Sequence, residues 1–270
     1  MLFNGLLIPT LLLAFVLFFV GRNSVRRCRT PISRAGVVML CLVLGIPGVM
    51  FPVYYLHWMK DSVWYYEFRS IPFIELSAAG AGLSAGALAE LLKGSKLFSA
   101  LGLMILLALG IAVPYLKPIL KPLPPDSFSD RWSEEVCLQS TPSSCGPAAV
   151  ATVFKTFGIN LREEEIAREC FTYQGGTENW YLARAFRKRG LSVRYRIEQN
   201  LSPDLKTPAI AGVRVGNFGH FLPFWERPPM DISPAIRWSA ANRFPSAKWN
   251  SNSILAASTW KSEHADYLSS

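Results

Sequence analysis

Histidine is scarce in this chain: His57, His220 and His264 are the only three in 270 residues. Five cysteines accompany them, and neither residue type recurs at metal-ligand spacing, so no metal centre and no cofactor is expected. A G-x-x-x-x-G-K-[ST] loop is also absent, which argues against ATP as a partner. Acidic residues number 19 against 28 basic ones, leaving a formal net charge of +9. Most consequential is what residues 35–56 lack, since they contain no charge of either sign.

That stretch is long enough to span a bilayer as a helix. Three further apolar runs join it, giving expected spans at about 2–21, 35–56, 71–92 and 97–116. The third is the weakest, with Glu75 and Glu90 near its ends and much Gly, Ala and Ser between. A cleavable signal peptide carries its basic residues ahead of the apolar run, whereas Arg22, Arg26, Arg27, Arg29 and Arg34 all follow it. The first run therefore reads as a permanent anchor, with those arginines on the cytoplasmic side. Four spans return the chain to the outside, so a multi-pass integral membrane protein with an extracytoplasmic C-terminal half is expected, with lipid as a partner. Topology then accounts for much of the positive charge. The cluster from Arg184 to Arg196 reads as a solvated face or one drawn to anionic lipid, and nucleic acid is not expected as a partner. Gly82 and Gly86 form a small-x-x-x-small pair suited to close helix packing. Glu90 reads as a side chain snorkelling to the interface, with a buried functional carboxylate as the alternative.

Residues 117–130 hold Pro118, Pro122, Pro124 and Pro125, which predicts a stiff, extended linker. Beyond it, the organising stretch runs from Cys137 to Gly158. Ala149, Val150, Val153, Phe154 and Phe157 recur at helical spacing, Pro147 suits a first turn, and Gly158 suits a left-handed cap. Cys145 falls at the helix N-terminus, where unpaired N–H groups and the helix dipole are expected to lower a thiol pKa. Gln139, on the loop feeding the helix, offers a side-chain amide to an oxyanion beside the Cys145 N–H, or else bonds a loop backbone group. His220 opens an apolar run that reads as a buried strand, as a base for the thiol or as a satisfied core histidine.

Around this stretch, Asn160 and Glu163 have the form of a capping box opening a helix to about Cys170, and Thr177 is placed to cap a third helix ending at Gly190. Residues 191–197, 208–215 and 220–225 read as strands of one sheet. Helices followed by strands make an α+β domain over 131–226. Residues 227–270 show no sustained period and do not read as completing a sheet. Cys137 and Cys170 flank the site and are either bridged or two independent buried thiols; Cys28 and Cys41 read as unpaired.

With these residues in place, the chain resembles the C39 cysteine peptidases, papain-like proteases best known for trimming leader peptides during bacteriocin export. The resemblance rests on Gln139 ahead of Cys145-Gly146-Pro147-Ala148, a helix ending in Phe157-Gly158-Ile159, an acidic second helix, and Gly219-His220-Phe221. It implies a papain-like fold, a peptide or protein substrate, Cys145 as nucleophile, His220 as base and Gln139 as oxyanion donor. The family usually orients its histidine with a downstream Asp in an Asp-Pro pair. None follows His220 here; Asp231 is one candidate, Asn242, Asn250 and Asn252 are others, and an impaired enzyme whose tail derives from a reading-frame change is another outcome. The family exporters place the peptidase before the membrane helices and carry an ATPase, so their leader-peptide substrate is not carried over. The function expected is a membrane-anchored thiol peptidase. The alternatives are a catalytically impaired peptide-binding protein and a Cys-His amidase acting on envelope peptides.

Overall fold

The computed structural model describes residues 4–55, 62–92, 96–197, 207–215, 218–224 and 253–259. The apolar first part forms α1 (Leu7–Arg27), α2 (Pro31–Tyr55), α3 (Val63–Ser70), a 3-10 helix (Ile74–Gly80), α4 (Ala81–Leu91) and α5 (Lys96–Leu120). The second part comprises β1 (Arg131–Ser133), β2 (Val136–Leu138), α6 (Cys145–Thr156), α7 (Glu163–Glu169), α8 (Asn179–Lys188), β3 (Leu191–Arg196), β4 (Ala209–Val215), β5 (Phe218–Phe224) and β6 (Ser253–Thr259). These elements divide into two compact units. One holds Phe3–Lys60 and Ile71–Leu120; the other holds Met1–Leu2, Asp61–Ser70 and Lys121–Ser270.

In the helical unit, two helices among the described residues are long and apolar enough to cross a membrane, Leu7–Arg27 and Pro31–Tyr54. Counting the bent pair Val63–Ser70 and Ile74–Leu91 as one span makes three, and Phe98–Val113 is a shorter apolar stretch. Length and composition thus support two or three spans against the four expected. The third segment is broken because it starts as a 3-10 helix after Phe73, whose φ of 62° is left-handed. The fourth runs on through Pro118 to Leu120, so residues 117–120 are helical rather than extended. Proline's fixed φ is helical, and its missing N–H removes only one bond from a last turn.

Inside this unit α1 packs along α4. A Cβ added at Gly82 or Gly86 would collide with the backbone carbonyls of Ala14 and Phe18, so the small residues serve close helix approach as expected. Glu90 does not snorkel. It is buried, pairs with Arg22 Nε at 3.3 Å, and its carbonyl accepts a bond from Arg34 at 3.0 Å. The outward faces carry exposed Leu12, Val16, Leu40, Leu44, Leu106 and Leu109.

The second unit is built on a four-stranded antiparallel sheet in the order β3-β6-β4-β5, with β1 and β2 forming a separate hairpin in which Trp132 faces Cys137. Strand β3 alternates buried and outward residues, as its sequence predicts. The tail departs from expectation: β6 lies between β3 and β4, pairing Tyr195 with Leu255 and Ile210 with Leu255 on its two sides. A strand flanked on both edges is specified by its neighbours' unpaired backbone groups more than by its own pattern, and so carries little local signature. The two predicted caps are also replaced. Helix α7 begins after Arg162 and α8 after Glu178, each without a side-chain cap, while Thr177 bonds the Thr172 hydroxyl at 2.8 Å.

Helix α3 belongs to this unit and packs on α8 and β3. Arg69, fully buried, lies 4.3 Å over the Trp180 ring and donates to Tyr65 Oη at 3.1 Å. Arg187 pairs with Glu67 and Ser70, and Arg184 donates to the Arg69 carbonyl at 2.6 Å. Arg189 grips Glu169 with two bonds at 3.0 and 2.9 Å. Much of the arginine cluster is therefore engaged within the protein rather than presented as a solvated face.

All five cysteines are free. The bridge between Cys137 and Cys170 does not form: Cys137 donates its N–H to Thr152 Oγ1 at 3.0 Å, and the Cys170 thiol meets the Tyr181 carbonyl at 3.5 Å. Mass spectrometry of the unreduced, denatured protein should find all five thiols alkylated. Trp180→Ala, which empties a fully buried site under α3, should destabilise the chain by about 3–5 kcal/mol; thermal unfolding in detergent measures it.

Candidate active site

Helix α6 starts at Cys145, its first residue, with Ser144 as N-cap. The first four N–H groups of any helix lack an intrahelical acceptor. Here Ser144 N–H bonds the Thr141 carbonyl at 3.2 Å, Pro147 has no N–H, and Ala148 N–H begins the helical ladder on the Ser144 carbonyl at 3.0 Å. Only the N–H groups of Cys145 and Gly146 are left over, and both act on the Cys145 thiol in favour of its thiolate.

A third donor arrives from the sheet. The Phe221 N–H, one residue along β5 from His220, also acts on the Cys145 thiol in favour of its thiolate. Strand β5 is an edge strand packed against α6. The fit is tight at Gly146, where an added Cβ would lie 3.3 Å from each of Phe221 Cδ2, Leu182 Cδ1 and Thr177 Cβ and its neighbours would have to give by a few tenths of an ångström. The loop before the helix is tied down as well. Thr141 N–H bonds Ser144 Oγ at 2.9 Å, and Ser143 Oγ donates to the Gln174 carbonyl at 2.6 Å. That second bond joins the loop to a turn closed by the Tyr173 and Gly176 backbones.

Electrostatics reverse one expectation. The Cys145 thiol pKa is raised, not lowered, because burial outweighs the three N–H donors, and the negative charge of Glu163 adds to the effect. Only 7 % of the residue is exposed. Burial likewise pushes the His220 imidazole below its ordinary range. Both groups therefore rest neutral near pH 7. The other two buried thiols of this unit are raised as well: Cys137 is pushed up to about 12 by burial, with Glu163 and Asp130 contributing, and burial also raises Cys170.

Of the other expected residues, Gln139 is half-buried between β2 and α6, and its side chain makes no hydrogen bond among the described residues. The alternative in which it ties down a loop backbone is thus not what is seen. His220 is half-buried opposite Val213 of β4, and no carboxylate hydrogen-bonds its ring among the described residues. Asp231 lies outside the described residues, as do Asn242, Asn250, Asn252 and Asp266. One acid near the site went unread as such: Glu163, expected as a cap, is fully buried and accepts the Ser140 N–H at 3.0 Å and the Ser140 hydroxyl. Nothing local distinguishes it from Glu164 and Glu165 beside it.

Residues 133–226, the stretch that holds Gln139, Cys145 and His220, match the model of the peptidase C39 family. This segment belongs to the C39 peptidases. The C39 segment is also similar to two archaeal proteins. One, from Methanothermobacter marburgensis, is 38% identical over 96 residues, covering 36% of this chain and 66% of the relative. The other, from Methanothermobacter thermautotrophicus, is 37% identical over 89 residues, covering 33% and 61%. The chain thus spans just under two thirds of each relative's length. Among solved structures, the peptidase domain of Streptococcus ComA, a bifunctional ABC transporter involved in quorum sensing, is 21% identical. That likeness covers 46% of this chain and 97% of the other, with a TM-score of 0.37.

The resting protonation state predicts a pH profile. With a raised thiol pKa, alkylation of Cys145 by iodoacetamide should climb about tenfold per pH unit from about pH 6 to 8.5 without levelling. A plateau reached by neutral pH would reveal a preformed thiolate.

Proposed function

We propose that this chain is a membrane-anchored C39-like cysteine peptidase that hydrolyses peptide bonds through Cys145 and His220. The observation that carries the proposal is the packing of α6 on β5: the strand that bears His220 lies against the helix that begins at Cys145, and its next backbone N–H favours the Cys145 thiolate. Because both groups rest neutral, the proton moves during attack. His220 takes the Cys145 proton as the sulfur bonds to the peptide carbonyl carbon, and the oxyanion forms against the Gln139 amide and the Cys145 N–H. The imidazolium gives that proton to the leaving amine as the C–N bond breaks. Water then attacks the thioester with His220 as base, releasing the acid and restoring the thiol. Burial that keeps His220 neutral suits it to accept a proton at neutral pH. Asp231 is the proposed orienting group for the imidazole.

The apolar outer faces of the helical unit and the arginines following α1 support an integral membrane protein with lipid around its helices. Taken with an even number of spans, the same charge pattern supports an extracytoplasmic peptidase domain. Cysteine-accessibility labelling of intact cells tests this placement.

Cys145→Ala should abolish hydrolysis of a peptide library by the detergent-solubilised chain, and Gln139→Ala should lower kcat by about 10²–10³ with little change in KM. Alkylation of Cys145 in Gln139→Ala should proceed at the wild-type rate, since that reaction forms no oxyanion. A wild-type chain that cleaves no peptide while binding some of them would replace the enzyme with a peptide-binding protein.

A further inference from the structure

Glu163 is a carboxylate with no exposure to solvent, placed at the start of α7. Burying a carboxylate costs several kcal/mol unless its oxygens are bonded. No cation pairs with it among the described residues. Both oxygens instead address one residue, Ser140: Oε1 accepts the backbone N–H at 3.0 Å and Oε2 accepts the hydroxyl. Ser140 Oγ in turn accepts the Ser129 N–H at 3.0 Å and contacts Ser129 Oγ at 3.2 Å, so the loop is held from a second side. Ser140 directly follows Gln139, whose side chain has no bond of its own among the described residues. A long, unbonded amide aims reliably only if its backbone is fixed, and the one anchor immediately beside it is this bidentate grip.

Resting on the peptidase assignment above, we propose that Glu163 is a positioning residue that sets the Gln139 amide as oxyanion donor by clamping Ser140. Its charge is otherwise unfavourable to the site, since it opposes thiolate formation at Cys145. An acid kept so close to a nucleophile it disfavours needs a geometric task, and fixing the donor loop supplies one. The role asks for an acceptor oxygen rather than for a charge, which separates it from an electrostatic role.

The test compares two reactions of Cys145 in the full chain. A peptide aldehyde forms a hemithioacetal whose oxygen occupies the oxyanion position; iodoacetamide forms a thioether and makes no oxyanion. Glu163→Ala should weaken aldehyde binding by about 10- to 100-fold, leave alkylation no slower, and speed hydrogen exchange at the Ser140 N–H. Glu163→Gln, which keeps an acceptor oxygen, should restore most of the aldehyde affinity. In a Gln139→Ala background, Glu163→Ala should add nothing further. Should Glu163→Ala fail to fold, Ser140→Ala enters the same comparisons, with the same pattern expected at smaller size. An equal loss with and without Gln139, a parallel slowing of alkylation, or unchanged exchange and affinity would each overturn the proposal. A protein whose Cys145 alkylates but which cleaves no peptide refutes the peptidase assignment alone, and the exchange and aldehyde measurements still decide the role of Glu163.

Discussion

A helix begins with N–H groups that none of its own carbonyls can reach, and the C39 domain is arranged around how those at the start of α6 are met. Pro147 removes one donor and the Thr141 carbonyl takes another, leaving Cys145 and Gly146 N–H for the thiol. A bare Gly146 leaves room for Phe221 of β5, Leu182 of α8 and the Thr177 loop to close in. The arrangement also requires β5 to bring the Phe221 N–H to the same sulfur, which fixes where His220 stands. The helix that begins at the proposed nucleophile and the strand that bears the proposed base thus pack against each other.

The same closeness has an electrostatic consequence. Packing tight enough to aim three donors at one sulfur also removes water from it, and desolvation exceeds what the donors return. His220 is desolvated too, and its pKa moves the opposite way because its charged form is the protonated one. A buried thiol and a buried imidazole each favour their neutral forms, so the site stores no ion pair. Under the proposed mechanism, attack is general-base and coupled to the arrival of substrate, with charge developing where the donors already point.

Charges elsewhere in the second unit follow a related rule. Arg69 and Glu163 are both without solvent exposure, and each meets specific partners: an aromatic face and a phenol oxygen for the arginine, one serine for the glutamate. Arg184, Arg187 and Arg189 reach α3 and α7 instead of solvent. Helix α3, only eight residues long, has too few turns to persist alone and is held by these contacts and by Trp180.

By itself the sequence determined whatever depends on neighbours along the chain. Helical spacing from Ala149 to Phe157 located α6, the cysteine at its first residue and the glycine after it, whose φ of 72° is the left-handed cap expected. Alternation located β3, and the apolar run after Gly219 located β5. The peptidase assignment followed from those local features, because Gln139, Cys145 and His220 sit in recognisable surroundings. Tertiary structure alone decided the rest. Strand β6 draws its place from the open edges of β3 and β4, Glu163 and Thr177 turn from capping to Ser140 and Thr172, and Cys137 and Cys170 face different partners. For the two caps the local option was worth about 1 kcal/mol net, comparable to a single hydrogen bond. Burial of the same group against a distant element outweighs that, and no stretch of sequence encodes which distant element will arrive.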